Sequence, residues 1–428
     1  MGRNKVSKLH IKYGIPLGAL AAVLIVCTSC STSPTKAKVT PATHPVKEIR
    51  ATGMPAFYSV PDPLPAGPPG TIIRTQLVKQ APDVPAGTRI VRVLYKSTTI
   101  HGRQVAVSGY FMYDPKVVPK GGRPVIAWAH GTMGMANFCA PSTFRRQGPG
   151  QPPDLPEYLG TFLAKGFVIA ATDYQGFGTP GVEPYLVGGD EGRDVLDSAR
   201  AVLTYKPAKA KNEVVIMGHS QGGGSALFAG QLASSYAPNL HVIGVVANAP
   251  ASSLALALEY HPTSDLIYIY FAAYAWTHTY KRMPSLDELL GPWGKSHLYM
   301  LDKYCFNHIY DAIIKTPVDQ IFNMKELTSP VVIRLAKENS PGHVATKAPI
   351  LINQGLADKT VYPFLSYNLV KDHLCPLHDT VEYREYPGAT HYGVVTDSKS
   401  FTLAWIARRM EGLPAHSNCD SLPPSPGL

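Results

Sequence analysis

Apolar runs and amphipathic stretches alternate along most of this chain. Residues 88–96 (T-R-I-V-R-V-L-Y-K) and 104–113 (Q-V-A-V-S-G-Y-F-M-Y) alternate apolar with polar positions, the pattern of half-exposed edge strands. Residues 124–131 (P-V-I-A-W-A-H-G), 167–172, 214–218, 242–249 and 349–355 are short, nearly continuous apolar runs, and 381–386 (V-E-Y-R-E-Y) closes the series. Between them, residues 159–165 read as a helix ending at Gly166. Residues 192–205 place Val195, Leu196, Ala199, Val202 and Leu203 at helical spacing, and 398–410 read as a last helix. Buried strands separated by helices predict an α/β class with a mostly parallel sheet covered on both faces.

One stretch breaks this rhythm. Residues 252–346 hold no strand–helix repeat but are rich in aromatics, with L-I-Y-I-Y-F-A-A-Y-A-W at 266–276. Eleven apolar residues are too few to span a bilayer, which needs ~20. The stretch predicts a helical insertion, a cap over the sheet. The ends differ again. Residues 31–69 contain nine prolines among Thr, Ser, Lys and Ala and read as a disordered arm; 413–428 read as a Pro- and Ser-rich tail.

The first thirty residues read as an export signal. Arg3, Lys5, Lys8 and Lys12 precede a thirteen-residue apolar run from Ile15 to Cys27, and small residues follow. Cys30, after Thr28 and Ser29, has the setting of a bacterial lipoprotein attachment site, although Cys27 stands where that signal usually has Leu. Lipidation at Cys30 and plain cleavage nearby therefore both remain open. The expected location is secreted or in the cell envelope, with peripheral or lipid-anchored membrane association as one reading. Loss of the four leader cations takes the net charge from +10 to +6. What remains is scattered and carries no nucleic-acid motif, so a nucleic-acid partner is not expected.

Four further cysteines, Cys139, Cys305, Cys375 and Cys419, suit two disulfides in an exported chain. The expected pairs are Cys139–Cys305 and Cys375–Cys419. None has the close spacing of a structural zinc site, and no metal is expected.

The chemistry centres on V-V-I-M-G-H-S-Q-G-G-G-S-A-L at 214–227. Gly218-His219-Ser220-Gln221-Gly222 fits G-x-S-x-G, set between a buried strand and a small-residue helix, the context that this motif requires. Gly218 and Gly222 let the two backbones crowd, so the Ser220 hydroxyl stands clear of the turn. The Gln221 N–H, at a helix N-terminus, can face a developing oxyanion. A Ser hydroxyl needs a base, and in this fold the acid and then the His follow the Ser along the chain. Asp358 lies just past the strand 349–355, where such sheets place their sites; its alternative is a helix N-cap. His391 sits in P-G-A-T-H-Y-G after the last strand. Among later histidines, His373, His378 and His416 are less well placed; Asp319 and Asp379 suit capping better. The second oxyanion donor is expected after A-H-G-T, at the Thr132 N–H.

These residues bear a wider likeness. A-H-G-T (129–132), T-D-Y-Q-G-F-G (172–178), G-R-D-V-L-D-S-A-R-A (192–201), G-H-S-Q-G-G-G (218–224) and G-L-A-D-K-T-V (355–361) together resemble the secretory lipases. Those are α/β-hydrolases typified by yeast lipase A enzymes, with bacterial relatives. Order and spacing carry the resemblance, which covers residues 70–412. It implies an α/β-hydrolase fold with a helical cap at about 252–346 shaping an acyl-chain tunnel. It also implies a Ser220–Asp358–His391 triad; the chemistry of such a triad needs no cofactor, and the expected partner is a small-molecule or lipid ester met by a monomer. Family members span lipases and shorter-chain carboxylesterases. Two other readings stay open: a serine peptidase of the same fold, and a non-catalytic binding protein that keeps the fold.

Overall fold

A computed structural model describes residues 47–145, 154–260 and 265–427. The expected export signal, Cys30 and the start of the Pro-rich arm lie outside them. The described strands are β1 (Lys47–Ile49), β2 (Val60–Asp62), β3 (Ile72–Val78), β4 (Arg89–Thr98), β5 (Gln104–Tyr113), β6 (Arg123–Ala129), β7 (Val168–Thr172), β8 (Ala210–His219), β9 (Val242–Asn248), β10 (Ile350–Gly355) and β11 (Val381–Tyr386). Nine form one sheet in the order β11-β10-β9-β8-β6-β7-β5-β4-β3. From β11 to β7 the pairing is parallel; β5, β4 and β3 continue it antiparallel.

The apolar runs explain the centre of this sheet. Every residue of β6, β7 and β10 is buried, because helices lie on both faces. Helices Gly188–Thr204 and Gln221–Tyr236 cover one face through Val195, Leu196, Val202 and Leu227. Helices Asp154–Ala164 and Lys399–Met410 cover the other through Leu159, Phe162, Trp405 and Ile406.

Two expectations about the edge need correction. β4 and β5 are mostly buried rather than half-exposed. The later part of the presumed arm accounts for some of this, because Met54, Phe57 and Tyr58 pack on Leu94 of β4 and Ala106 of β5, and the main core clusters cover the rest. The folded body therefore begins before residue 70, with β1 and β2 paired antiparallel ahead of it. The tail is likewise attached. Asn418 exchanges hydrogen bonds with Val381 and Tyr383 of β11, and so covers an edge that would otherwise be open to another chain.

Residues 252–346 contain helices and no strand among those described, from Leu254–Tyr260 to Pro330–Glu338. They hold a core of their own around Tyr270, Phe271, Ile309 and Leu335. Disulfides join Cys139 to Cys305 and Cys375 to Cys419. The first ties the loop after β6 to the cap. Beside it, Gly134 bridges Cys305, and the Phe306 N–H donates to the Met133 carbonyl at 3.1 Å.

Candidate active site

β8 ends at His219 and a helix begins at Gln221, so Ser220 alone makes the turn. Its φ of 59° and ψ of −122° lie in a region that L-residues rarely adopt, at a cost of roughly 1–3 kcal/mol. Backbone bonds hold it there: Ser220 N–H donates to Asn248 at 3.0 Å, and its carbonyl accepts from Ala251 at 2.9 Å. The flanking glycines are sterically obligatory. A Cβ on Gly218 would sit 2.1 Å from the Gly222 carbonyl oxygen, and one on Gly222 only 2.0 Å from that of Ala129.

Ser220, Asp358, His391 and Thr132 all follow the carboxyl ends of parallel strands, β8, β10, β11 and β6. Topology thus delivers four distant segments to one edge. His391 Nδ1 lies 2.8 Å from Asp358 Oδ2. A carboxylate can only accept, so Nδ1 carries the hydrogen; in the neutral ring that tautomer leaves the lone pair on Nε2. Asp358 Oδ1 accepts from Thr360 and Val361 N–H at 2.8 and 2.9 Å within a loop; the helix that follows, Pro363–Leu369, has Tyr362 at its N-cap, so Asp358 does not cap it. Both side chains are buried, at 2% and 5% exposure, which keeps water from competing for the bond. The two loops are tied by Ala357 N–H on the Ala389 carbonyl at 2.9 Å.

His391 also reaches the Ser220 turn. Its carbonyl oxygen accepts from His219 Nε2 at 2.8 Å, and the two rings lie 4.5 Å apart. The other candidates fall elsewhere. His373 lies in the helical turn Val370–Leu374, His378 follows it, and Asp379 accepts from Thr346 N–H. Asp319 sits in the first turn of helix Val318–Ile321.

Gln221 and Thr132, the expected oxyanion donors, have partners that the sequence did not reveal. The Gln221 side-chain amide donates to Glu183 at 2.9 Å and Glu191 at 2.7 Å. Thr132 Oγ1 lies 2.7 Å from the Tyr185 hydroxyl. Burial pushes the Glu183 carboxyl well above its usual range and Glu191 up to about 7. An E-P-Y and a D-E-G in a polar-looking stretch give no local sign of this, because the partners lie about thirty or more residues away.

A pocket of about 850 Å³, counting its open mouth, runs from Ser220 and Gln221 into the cap. Its walls are largely apolar, with Leu258, Ile269, Ala273, Trp276, Met283 and Val332 among them.

Residues 157–418 match the family model described as secretory lipase. The chain belongs to that family. A lipase A from Moesziomyces aphidis is 26% identical over 196 residues, 44% of this chain; the match spans only 41% of that relative's own length. A Mycobacterium tuberculosis protein named "Probable inactive lipase" is 22% identical over 379 residues, 84% of this chain and 82% of its own. Among solved structures, Candida antarctica lipase A in its closed state superposes with a TM-score of 0.72 at 19% identity, over 84% of this chain and 86% of that one. At that identity the likeness speaks for the α/β-hydrolase fold, capped sheet included. In this member of the secretory lipase family the strand–Ser220–helix turn, the Asp358–His391 pair and the pocket beside Ser220 stand on its own structure.

Proposed function

We infer that this protein is an exported serine ester hydrolase of the lipase or carboxylesterase type, acting on acyl esters. The observation that carries the reading is the 2.8 Å Asp358–His391 pair, docked through His391 onto the residue before Ser220. Ser220 attacks the ester carbonyl while His391 Nε2 accepts its proton. Asp358 holds the imidazole in the required tautomer and stabilises its charged form. The N–H groups of Gln221 and Thr132 hold the oxyanion. His391 returns the proton to the leaving alcohol, and water then releases the acid from the acyl-enzyme by the same steps reversed. The apolar walls around Leu258, Ile269 and Trp276 suit an acyl chain better than a peptide. Lipid attachment at Cys30 belongs to the same reading, as does contact of the exposed cap residues Tyr299, Tyr304 and Ile314 with lipid.

The relative named inactive favours a second reading, a hydrolase-fold protein without catalysis. Against it count the Asp358–His391 hydrogen bond at 2.8 Å and the His219 bond that ties His391 to the Ser220 turn. Labelling with a fluorophosphonate separates the two. Wild type labels and Ser220→Ala does not if the serine is a nucleophile; an unlabelled, folded wild type favours the binding role. A chain-length series of esters, below and above their solubility limit, then distinguishes lipase from esterase.

A further inference from the structure

Five residues between β7 and the helix Gly188–Thr204 touch both candidate oxyanion donors. Glu183 Oε1 accepts one hydrogen of the Gln221 side-chain amide at 2.9 Å. Two residues on, the Tyr185 hydroxyl meets Thr132 Oγ1 at 2.7 Å. Gln221 follows β8 and Thr132 follows β6, strands that pair directly, and a further link joins the side chains of the two donors. The segment 183–187 supplies that link.

We propose that residues 183–187 are a positioning strap for the oxyanion hole, with Glu183 setting Gln221 and Tyr185 setting Thr132. The inference rests on the serine-hydrolase reading above. Gln221 is the first residue of its helix, so its N–H has no partner inside that helix. Its side-chain amide has two hydrogens, and Glu183 and Glu191 take one each. A doubly held amide pins the Gln221 side chain, and with it the first turn of the helix that presents the Gln221 N–H. Glu191 is itself fixed, accepting from Ser225 Oγ at 2.6 Å and from the Leu186 N–H at 2.8 Å. That second bond draws the strap onto the helix that carries Glu191. Leu186 stands at φ 55°, a left-handed conformation for a branched apolar residue, as expected where surrounding bonds over-determine a turn.

The strap also senses the pocket. Trp276 Nε1–H, from the cap, donates to the Tyr185 carbonyl at 3.1 Å, and the Tyr185 ring packs edge-on against Phe271 at 5.6 Å. Tyr185 and Leu186 line the cavity beside Ser220. An acyl chain seated there presses on the same residues that aim the donors.

Neither Glu183 nor Tyr185 is placed to react. Both act on transition-state stabilisation, and so their loss lowers kcat and leaves KM nearly alone. The variants are Tyr185→Phe, which keeps the ring and removes the hydroxyl, Glu183→Leu, and Glu183→Gln, whose amide oxygen can still accept from Gln221. Removing a whole donor costs ~10²–10³ in rate, so misaiming one is expected to cost about tenfold in kcat. Tyr185→Phe and Glu183→Leu should each show that loss with KM within about twofold, and Glu183→Gln should recover most of it. Inactivation by a fluorophosphonate, which forms a tetrahedral adduct, should slow in parallel. Unchanged kcat in Tyr185→Phe, or a rise in KM alone, overturns the strap, and that variant decides the matter if Glu183→Leu does not fold. Failure of wild type to label at Ser220 overturns the hydrolase reading and the strap with it. A labelled, active wild type with indifferent variants removes the strap alone.

Discussion

His219 Nε2 donates to the backbone carbonyl of His391 at 2.8 Å, across 172 positions of chain. The residue that precedes the candidate nucleophile thereby holds the loop of the candidate base. The Asp358 bond orients the imidazole about one end; the His219 bond sets where its backbone stands. His219→Phe keeps an aromatic ring against His391 but removes the donor and leaves a buried carbonyl unpaired, at a cost of ~1–3 kcal/mol. The expected result is a fall in kcat of about tenfold or more, because the base is misplaced by tenths of an ångström, with little change in KM. Steady-state kinetics on a soluble ester check it. Undiminished kcat would show that the sheet places His391 without help.

Gly222→Ala tests the close approach of strand and helix. The new Cβ meets the Ala129 carbonyl oxygen at 2.0 Å and its carbon at 2.5 Å, both backbone atoms that cannot rotate aside. Relief requires the helix Gln221–Tyr236 to shift off β6. We expect a loss of stability of about 3 kcal/mol or more, read as a lower urea midpoint or as insoluble protein. A midpoint equal to wild type would mean that the two backbones have slack.

What the sequence made legible follows a physical rule. Ser220, Asp358 and His391 stand within a few residues of the ends of apolar runs, and a parallel sheet carries all such ends to one edge, so local pattern plus topology located them. The buried acids of the helix Gly188–Thr204 were hidden because their partners, Ile100, Gln175 and Gln221, are remote in sequence. Acids at this spacing ordinarily mark a solvated face. Residues 47–62 were misjudged for a different reason. Proline content suggested an arm, while the short M-P-A-F-Y cluster at 54–58 was enough to seat it on β4 and β5. β3, an edge strand with an exposed middle, has too weak an alternation to stand out.

The two disulfides should differ in what they protect. Cys139–Cys305 closes 166 positions and Cys375–Cys419 closes 44. Chain entropy alone predicts about 5 and about 4 kcal/mol, nearly equal effects on stability. Their places differ more. Cys139 lies in the loop that carries Thr132, and Cys305 in the cap, whereas Cys375 and Cys419 fasten the tail against β11. Paired Cys→Ala replacement of the first should lower both Tm and kcat; replacement of the second should lower Tm only. Calorimetry beside kinetics on both variants checks this. Equal kcat in the two would separate the cap tether from the chemistry.

The helix Gly188–Thr204 turns Asp190, Glu191, Asp194 and Asp197 into the interior, and each is bound there. Ile100 and Gln175 N–H groups donate to Asp190 and Asp194; Ser225, Gln221 and Leu186 donate to Glu191; Arg200 and Tyr236 donate to Asp197. Desolvation nonetheless outweighs these bonds. Asp190 and Asp197 rise to about 6, Glu191 to about 7, and Asp194 well above its usual range. Asp173, bonded to Ser108 and Ser142, rises to about 6 for the same reason. Neighbouring Asp190 adds to the shift at Glu191, while Arg193 and His101 only partly offset that of Asp190. A carboxyl raised in the native state holds its proton where the unfolded chain has lost it, so folding takes up protons between the two values. The stability these groups contribute is therefore complete below about pH 4, the unfolded range, and is lost as pH climbs through about 6 and then about 7. Tm should fall from pH 5 to pH 8. Glu191→Gln, which cannot titrate, whose amide oxygen can still accept from Leu186 and Gln221 and whose amide N–H can donate to Ser225 Oγ, should show a shallower fall between pH 5 and pH 7. A wild-type Tm that climbs across that interval would mean that these acids are ionised in the folded protein, with a counter-charge supplied from outside the helix.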